Sequence, residues 1–224
     1  MYKRQPNDYT KHGVINEYNA CREKAVLIDL SSLRKFEILG PDAEELMNYT
    51  LTRNVKKLSV GQIVYSAMCY ENGTMFDDGT LLKLSDHGFR WVCGDEYGGE
   101  WLKEQAKKKN YKVHIKNSTD QINNLSLQGP NSRKILEKII FTPPTQPSIS
   151  ELEWFRFSIC RLEELNGIPL IVSRTGYTGE LGFEIWCHPS DAPTVWDKVM
   201  EAGKDEGLIP AGFAALDLSL IHIS

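Results

Sequence analysis

Residues 173–186 constrain the fold of this chain more than any other stretch, because they place three glycines between two strand-like segments. Residues 168–172 are apolar and partly β-branched. Along 181–186, apolar side chains then recur at the strand period of two. Glycine permits positive φ angles and close approach of the backbone to a ligand. The run therefore predicts two strands joined by a tight connection, which serves either as an ordinary hairpin turn or as a loop around a ligand.

A second pair of strand-like segments surrounds the dipeptide Asn72-Gly73. This dipeptide favours a two-residue type I′ hairpin, since both of its residues tolerate positive φ angles. A two-residue turn here places Tyr65 and Asp78 on one face of the hairpin, together with Phe76. That face is mostly apolar, so the sequence predicts a carboxylate among apolar side chains.

The neighbouring acid, Asp77, points to the opposite face, because side chains alternate along a strand. A carboxylate on an apolar face is either a paired structural charge or a chemical group that handles protons. The assignment depends on the turn, since a three-residue loop is expected to exchange Asp77 and Asp78.

Composition excludes several classes of function. The 224 residues carry a net charge of -4, with 41% hydrophobic and 25% charged side chains, which is typical of a globular protein without a basic surface for nucleic acid. The five cysteines are odd in number and lack a Cys-x-x-Cys pair, so they predict reduced thiols in a reducing compartment. The sequence shows no secretory signal and no apolar run of about 18 residues, so we expect neither secretion nor membrane insertion.

Strand patterns dominate both halves of the chain, with helical patterns between them, which predicts an α+β architecture. Residues 36–47 and 124–136 repeat one phrase of strand, Gly-Pro and helix, in which proline suits the first helical turn. This repeat indicates a weak internal duplication. Residues 141–151 contain three prolines, so they form neither a helix nor a central strand, and they are the best candidate for an internal boundary.

The two ends of the chain lack the patterns of the rest. Residues 1–6 show no periodicity, and residues 219–224 interrupt a helical pattern that begins at Phe213. We expect both end segments to be non-native sequence. Residues 14–218 are then the native domain of a truncated chain.

The motifs together resemble the glycine cleavage T-protein (aminomethyltransferase) family. The resemblance rests on four runs that stand in the family's order: Gly61–Tyr70, Glu71–Asp78, Asn124–Pro130 and Ser173–Trp186. It implies interlocked α+β modules that bind tetrahydrofolate over residues 14–218. It also implies a C-terminal β-barrel that this chain lacks, so we expect the fragment itself to be inactive.

The resemblance implies roles for five residues. Asp78 matches the family's catalytic aspartate, and Tyr65 matches a wall of the pterin site. Tyr177 and Glu184 lie in the signature loop and strand, where Glu184 would accept hydrogen bonds from the 2-amino-4-oxo edge of the pterin. Without the family, a solvent-facing strand position is equally expected for Glu184. Leu33 belongs to the cofactor site and stands where T-proteins commonly carry part of a His-Met pair.

The implied reaction transfers a one-carbon unit from a nitrogen or sulfur donor to tetrahydrofolate, without a metal. In T-proteins the donor is an aminomethyl group on the lipoyl arm of a carrier protein, which is the implied partner. Residues 92–97 resemble instead the demethylases of small methylated sulfur or nitrogen compounds, so that alternative stays open. A third alternative is a noncatalytic folate-binding protein of the iron–sulfur assembly type. Such proteins carry a characteristic cysteine, and this chain has no cysteine in the corresponding residues 173–180. The expected location is the cytoplasm of a bacterium or the mitochondrial matrix, with no nucleic-acid or membrane partner.

Overall fold

The structure, a computed structural model, describes residues 6–221, which form two compact units. The first unit comprises Leu33–Thr119, and the second comprises residues 6–32 and 120–221. The first unit is thus inserted into the chain of the second. Each unit has its own β-sheet and its own hydrophobic core.

The elements are those of the predicted α+β class. Up to residue 119 they are α1 (Val14–Glu23), β1 (Ala25–Asp29), β2 (Arg34–Leu39), α2 (Ala43–Thr50), β3 (Ile63–Cys69), β4 (Met75–Ser85), β5 (Gly88–Cys93), α3 (Tyr97–Lys109) and β6 (His114–Asn117). After it follow β7 (Asn123–Gln128), α4 (Ser132–Glu137), β8 (Ile140–Phe141), β9 (Phe157–Leu162), β10 (Pro169–Ser173), β11 (Gly182–Cys187), α5 (Ala192–Gly203), β12 (Leu208–Pro210) and α6 (Phe213–Ile221). Among the described residues, no helix has the length and apolar character needed to cross a membrane.

The first unit is a five-stranded antiparallel sheet of order β3-β4-β5-β2-β6. Helices α2 and α3 contribute Leu46, Met47 and Leu102 to its core, where these side chains join Leu81 and Trp91 of the sheet. All five side chains are fully buried. Burial of each large apolar side chain stabilises a fold by about 1.5–3 kcal/mol, so the helix-covered face holds this unit together.

The second unit is a seven-stranded sheet of order β12-β1-β7-β11-β10-β9-β8. Strands β1 and β12 are parallel, and the other neighbouring strands pair antiparallel. One face of this sheet packs against α4 and α5. Its core joins Leu127 and Phe183 of the strands to Ile135, Val195 and Val199 of the helices. Val195 and Val199 are thus buried on the inward face of α5, and Trp196 packs against the same core.

The opposite face of the seven-stranded sheet carries polar side chains. The registers of β7, β10 and β11 place Asn124, Ser126, Ser173 and Glu184 on this face. All four are buried, although a buried polar group costs free energy unless it is hydrogen-bonded. This row of buried polar side chains is therefore a candidate ligand-binding site.

The contacts divide the chain at Leu33 and Thr119 and not at the proline-rich segment 141–151. That segment lies inside the second unit, because β8 and β9 on its two sides pair directly as antiparallel neighbours. The two end segments expected to be non-native, residues 1–6 and 219–224, lie largely outside the residues that the structure describes fully.

Candidate functional site

The connection between β10 and β11 is a loop over residues 174–181, called here the signature loop, and not the tight connection expected. It is built around the side chain of Gln128, which reaches into it from β7 and is fully buried. Gln128 Nε2 donates to Ser126 Oγ at 3.0 Å and to the carbonyl of Thr175 at 3.2 Å. Gln128 Oε1 accepts from Thr178 Oγ1 at 3.0 Å. The loop is therefore fixed from inside.

Two glycines at the ends of this arrangement make room for the amide. A Cβ atom at Gly176 would lie 2.1 Å from Gln128 Oε1, and a Cβ atom at Gly182 would lie 1.8 Å from it. Gly179 has a φ of 76°, a left-handed conformation that favours glycine. The sequence predicts that these glycines allow the backbone to approach a ligand closely. At Gly176 and Gly182 the backbone instead lies close to a protein side chain, that of Gln128.

Helix α1 holds the outside of the signature loop. Arg22 Nη1 donates to the carbonyl of Thr178 and to Glu180 Oε1, both at 2.8 Å. The neighbouring Cys21 thiol also contacts Thr178, and burial raises the pKa of this thiol to about 11. The loop is thus held on one side by a charged pair and on the other by a buried amide.

Glu184 on β11 is buried, with 8% of its surface exposed. Its carboxylate accepts hydrogen bonds from Asn124 Nδ2 at 2.8 Å and from the hydroxyl of Thr175. Thr175 Oγ1 lies 2.8 Å from Ser173 Oγ, which accepts from Trp186 Nε1 at 3.0 Å. A solvent-facing position for Glu184 is therefore excluded. The network fixes the orientation of the carboxylate before any ligand arrives.

One atom of this network has no partner among the described residues, the Oδ1 oxygen of Asn124. Asn124 is fully buried. Buried polar atoms without a hydrogen bond are uncommon in folded proteins, so such an atom needs an explanation. Together with the carboxylate of Glu184, this oxygen forms a pair of buried acceptors, which suits a ligand that presents N–H donors.

The other two candidates for the cofactor site have different surroundings. Tyr177 lies in the signature loop with 54% of its surface exposed, so the loop presents this ring at the surface. Leu33 lies in the first unit, at the entry to β2, and is half-buried. Its carbonyl accepts a hydrogen bond from Lys35 Nζ at 2.8 Å. Neither position reproduces the buried acceptor character of Glu184.

In the first unit, Tyr65 on β3 and Asp78 on β4 face the same side of the sheet, as predicted. The register pairs Tyr65 with Thr80 and Ala67 with Asp78. The hydroxyl of Tyr65 donates a hydrogen bond to Asp78 Oδ2. Tyr65 is 37% exposed and Asp78 is half-buried. The pair is therefore a hydrogen-bonded acid and phenol that remains partly open.

The turn of this hairpin is not the predicted two-residue type I′ turn. The N–H of Tyr70 donates to the carbonyl of Thr74 at 2.9 Å, which leaves Glu71–Gly73 as a three-residue loop. A register shift between Met68 and Cys69 follows the loop. The two irregularities cancel, because the shift restores the pairing that a two-residue turn would give. The predicted faces of the two aspartates are right although the predicted turn is wrong.

Phe76 is the extra residue of this shift, because Cys69 pairs with Met75 and Met68 pairs with Asp77. It therefore does not share the face of Asp78, as the sequence predicted. Its ring packs 5.4 Å from that of Trp101, on α3, and contributes to the core of the first unit. A β-bulge changes the alternation of faces locally, which explains the error.

The apolar face of the hairpin is also not where the sequence placed it. The core side carries Leu81, which shares its face with Asp77, because α2 and α3 cover that side. Asp77 accepts backbone hydrogen bonds from Asp78 at 2.9 Å and from Asp95 at 3.0 Å. Burial and the carboxylate of Asp77 raise the pKa of the Cys93 thiol far above its usual range. Asp77 is therefore a structural carboxylate.

A surface depression of about 570 Å³ in the first unit is separate from the candidate residues. It is lined by Tyr70, Glu71, Asn72, Trp101, Glu104, Gln105 and Lys108. None of the five predicted site residues lines it. Among residues 6–221, no group of three or more His, Cys, Asp or Glu side chains is arranged to hold a metal ion.

Sequence reasoning missed three residues of the buried network: Asn124, Gln128 and Thr175. A signal for two of them was present, because polar side chains alternate with leucines along 124–128. In a sheet whose other face is apolar, polar residues at a period of two indicate a second face with its own hydrogen bonds. The role of Thr175 depends on the loop conformation, which no periodicity encodes.

The sequence matches a family model described as the GCVT N-terminal domain over residues 2–220. The chain is 54% identical over 210 residues to the trimethylamine-oxide aldolase of Ruegeria pomeroyi. It is 38% identical over 208 residues to an aminomethyltransferase of Alkaliphilus metalliredigens. It is also 37% identical over 202 residues to the gamma subunit of a heme-dependent oxidative N-demethylase of Ectopseudomonas mendocina.

These three matches cover 94%, 92% and 90% of this chain but 27%, 54% and 50% of the relatives. The chain therefore spans about half of the length of these relatives, or less. Among solved structures, aminomethyltransferase T of the glycine cleavage system from Bartonella henselae superimposes with a TM-score of 0.81 at 25% identity, over 97% of this chain and 55% of that one. Heterotetrameric sarcosine oxidase from Corynebacterium sp. U-96 shares the fold alone, with a TM-score of 0.61 at 14% identity, over 87% of this chain and 92% of that one.

Proposed function

The chain belongs to the family of the GCVT N-terminal domain, and from this membership we propose that it binds tetrahydrofolate and transfers a one-carbon unit to it. Tetrahydrofolate supplies the amine nitrogens that accept the carbon. The observation that carries the proposal is the buried acceptor pair of the second unit, the Glu184 carboxylate and the unpartnered Oδ1 of Asn124.

The acceptor pair suits the edge of a pterin ring. The 2-amino group and the neighbouring ring N–H are donors that lie side by side, and a carboxylate accepts two such donors at once. Glu184 is already oriented by Thr175 and Asn124, so binding costs little ordering of the carboxylate. A donor on the ligand would also give Asn124 Oδ1 the partner that it lacks within the described residues.

The proposed role of Asp78 is to hold or move a proton at an amine nitrogen of the reacting partners. Its carboxylate accepts the hydroxyl of Tyr65, and the pair is partly exposed, which leaves it open to a reacting group. Tyr65 is proposed to orient this carboxylate. General acid–base catalysis of this kind contributes a factor of about 100 to 10,000 in rate.

We propose a small methylated amine, or its N-oxide, as the source of the carbon. The relatives at 54% and 37% identity are named for trimethylamine oxide and for N-demethylation, and the first exceeds the 38% identity to the aminomethyltransferase. An N-oxide can lose one methyl group as formaldehyde and leave the demethylated amine without an added oxidant, because cleavage of its N–O bond supplies the two oxidising equivalents, whereas a methylated amine must first be oxidised by a separate oxidase. The formaldehyde then condenses with two amine nitrogens of tetrahydrofolate and releases water. The transfer to folate then needs no oxidant.

The second candidate donor is the aminomethyl group on the lipoyl arm of a carrier protein. Similarity to aminomethyltransferases at 34–38% identity favours it, as does the TM-score of 0.81 to aminomethyltransferase T of the glycine cleavage system. A noncatalytic folate-binding role is the weakest candidate, because it leaves the Tyr65–Asp78 pair without a purpose.

The test has two parts, both without oxygen. Calorimetry measures the binding of tetrahydrofolate to the protein. An assay then follows 5,10-methylene-tetrahydrofolate above its uncatalysed rate, with formaldehyde, trimethylamine N-oxide or an aminomethylated lipoyl carrier protein as donor. For a protein that carries this chain within the full length of its relatives, we expect saturable folate binding, and turnover with formaldehyde.

The absence of saturable binding contradicts the proposal. Turnover with the carrier protein alone selects the second candidate donor. Binding without turnover from any of the donors supports the noncatalytic role.

A further inference from the structure

We propose that Gln128 is a positioning residue, which sets the signature loop in the one conformation that prepares Glu184 for its ligand. The inference rests on the proposed function of Glu184 as the folate acceptor. It adds a second residue of β7 to a proposed site that already includes Asn124 of this strand and Glu184 of β11.

The first step is the chain of contacts through Thr175. Gln128 Nε2 donates to the carbonyl of Thr175 at 3.2 Å, while the hydroxyl of the same residue donates to Glu184. The backbone and the side chain of Thr175 thus have separate partners. The position of its backbone, which Gln128 fixes, decides whether its hydroxyl reaches the carboxylate.

The second step is that the amide of Gln128 has a single orientation. Its nitrogen donates to Ser126 Oγ and to the Thr175 carbonyl, and its oxygen accepts from Thr178 Oγ1. A rotation of the amide group by half a turn would place its oxygen against the carbonyl oxygen of Thr175, and two acceptors cannot bond, although the hydroxyls of Ser126 and Thr178 could exchange their roles. Gln128 is fully buried, so water cannot replace the lost partners. The amide therefore holds both ends of the 175–178 segment at once.

The third step is the packing of the glycines. A methyl group at Gly176 or at Gly182 would lie within 2.1 Å of Gln128 Oε1. The backbone of the signature loop and the start of β11 therefore pack directly against the side-chain amide of Gln128. The presence of Gln128 requires glycine at these positions, and this mutual requirement can be measured.

The fourth step concerns the other anchor of the loop. Arg22 binds the carbonyl of Thr178 and the side chain of Glu180, at the end of the loop distant from Thr175. Arg22 therefore fixes where the loop lies against α1. The position of Thr175 relative to Glu184 depends on the inner anchor, Gln128.

The experiment combines Gln128→Ala, Gly176→Ala and the double variant, with thermal unfolding and tetrahydrofolate calorimetry on each. Gly176→Ala alone is expected to lower the unfolding midpoint strongly, because its methyl group clashes with the amide. In the Gln128→Ala background the methyl group has room, so the double variant is more stable than the sum of the single losses predicts. Its folate affinity stays at least about tenfold below wild type, since the Thr175 carbonyl still lacks its donor.

Gln128→Met is the conservative variant, because it keeps the length of the side chain and removes its hydrogen bonds. It is expected to fold and to lose folate affinity by a similar factor. Ser158→Ala is the matched control. Ser158 is fully buried on the other face of the same sheet, and its hydroxyl has no partner within the described residues, so the change leaves affinity unchanged.

When the wild-type protein binds tetrahydrofolate, two results of the binding assay overturn the inference: wild-type folate affinity in Gln128→Met, or recovery of affinity together with stability in the double variant. A wild-type protein that does not bind tetrahydrofolate contradicts the proposed function instead. In that case the indole N–H resonance of Trp186, which belongs to the Thr175 network, is still expected to shift in Gln128→Met and not in Ser158→Ala. An unshifted resonance in Gln128→Met also overturns the inference.

Discussion

Glu184 in the second unit and Asp78 in the first are both candidate site carboxylates, and their surroundings differ. Glu184 is 8% exposed, accepts from Asn124 and Thr175, and belongs to a network of buried side chains. Asp78 is half-buried and accepts from Tyr65, which is itself 37% exposed. A rigid buried acceptor suits ligand recognition, whereas a partly exposed carboxylate suits proton transfer to or from a reacting group.

The difference has energetic consequences. A buried hydrogen bond to a charged group contributes about 1.5–3 kcal/mol, and its loss leaves a polar group unsatisfied. A partly exposed pair contributes far less, commonly below about 1 kcal/mol. We therefore expect changes at Glu184 to affect stability and binding together, and changes at Asp78 to affect the reaction while the fold is preserved.

The largest effect is expected for Asp78→Asn on turnover. Asparagine keeps the size of the side chain but cannot carry the charge or accept a proton, so turnover falls by a factor of about 100 to 10,000. Folate affinity and the unfolding midpoint change little, because the side chain is partly exposed. The measurement is the rate of methylene-tetrahydrofolate formation beside the folate dissociation constant. A loss that falls on affinity alone contradicts the assignment of proton transfer to Asp78.

An intermediate effect, on stability, is expected for Asp77→Asn. Asp77 accepts the backbone N–H groups of Asp78 and Asp95, and an amide cannot accept both through its two terminal atoms. Chemical denaturation should show a loss of about 0.5–1.5 kcal/mol in the free energy of unfolding, because one of the two hydrogen bonds is partly buried and the other is exposed. Turnover of the folded fraction stays close to wild type. If Asp77→Asn eliminates turnover while Asp78→Asn does not, the two aspartates have been assigned in the wrong order.

The smallest effect is a difference in thiol reactivity between the two regions. Burial raises the pKa of Cys160 to about 12 and that of Cys187 to about 11, both in the seven-stranded sheet. The reactive thiolate is therefore scarce at these positions at neutral pH. Cys69 in the β3–β4 hairpin is partly exposed and should react first with an aromatic disulfide reagent in the folded protein. Mass spectrometry of the modified peptides identifies the order. Early modification of Cys160 or Cys187 would show that the second sheet opens more readily than its packing indicates.

The same comparison shows what the sequence predicts well. Tyr65 and Asp78 share the predicted face, although this prediction is right only because the bulge at Phe76 compensates for the three-residue turn. The turn was predicted wrongly, and so was the position of Phe76, because a bulge depends on the competition between strand pairing and the packing of an aromatic ring on α3. The secondary-structure propensities of the residues near the turn do not encode that competition.

The seven-stranded sheet shows the other limit. The run 173–186 predicts two strands and a glycine-containing connection, and the strands are present. The reason for Gly176 and Gly182 is a side chain that lies on β7, more than forty residues earlier in the chain. Contacts of that sequence separation arise from the strand order of the sheet, so neither composition nor periodicity reveals them.

The most direct test of the account is to compare Glu184→Gln with Asp78→Asn for tetrahydrofolate binding, by calorimetry without oxygen. Glutamine at position 184 keeps the size and the bond to Thr175, but it replaces one acceptor with a donor that faces the donors of the pterin. The account predicts affinity lower by a factor of about 10 to 100 for Glu184→Gln, and affinity within about threefold of wild type for Asp78→Asn. Equal affinities for Glu184→Gln and wild type would contradict it, because the buried acceptor would then have no part in recognising the ligand.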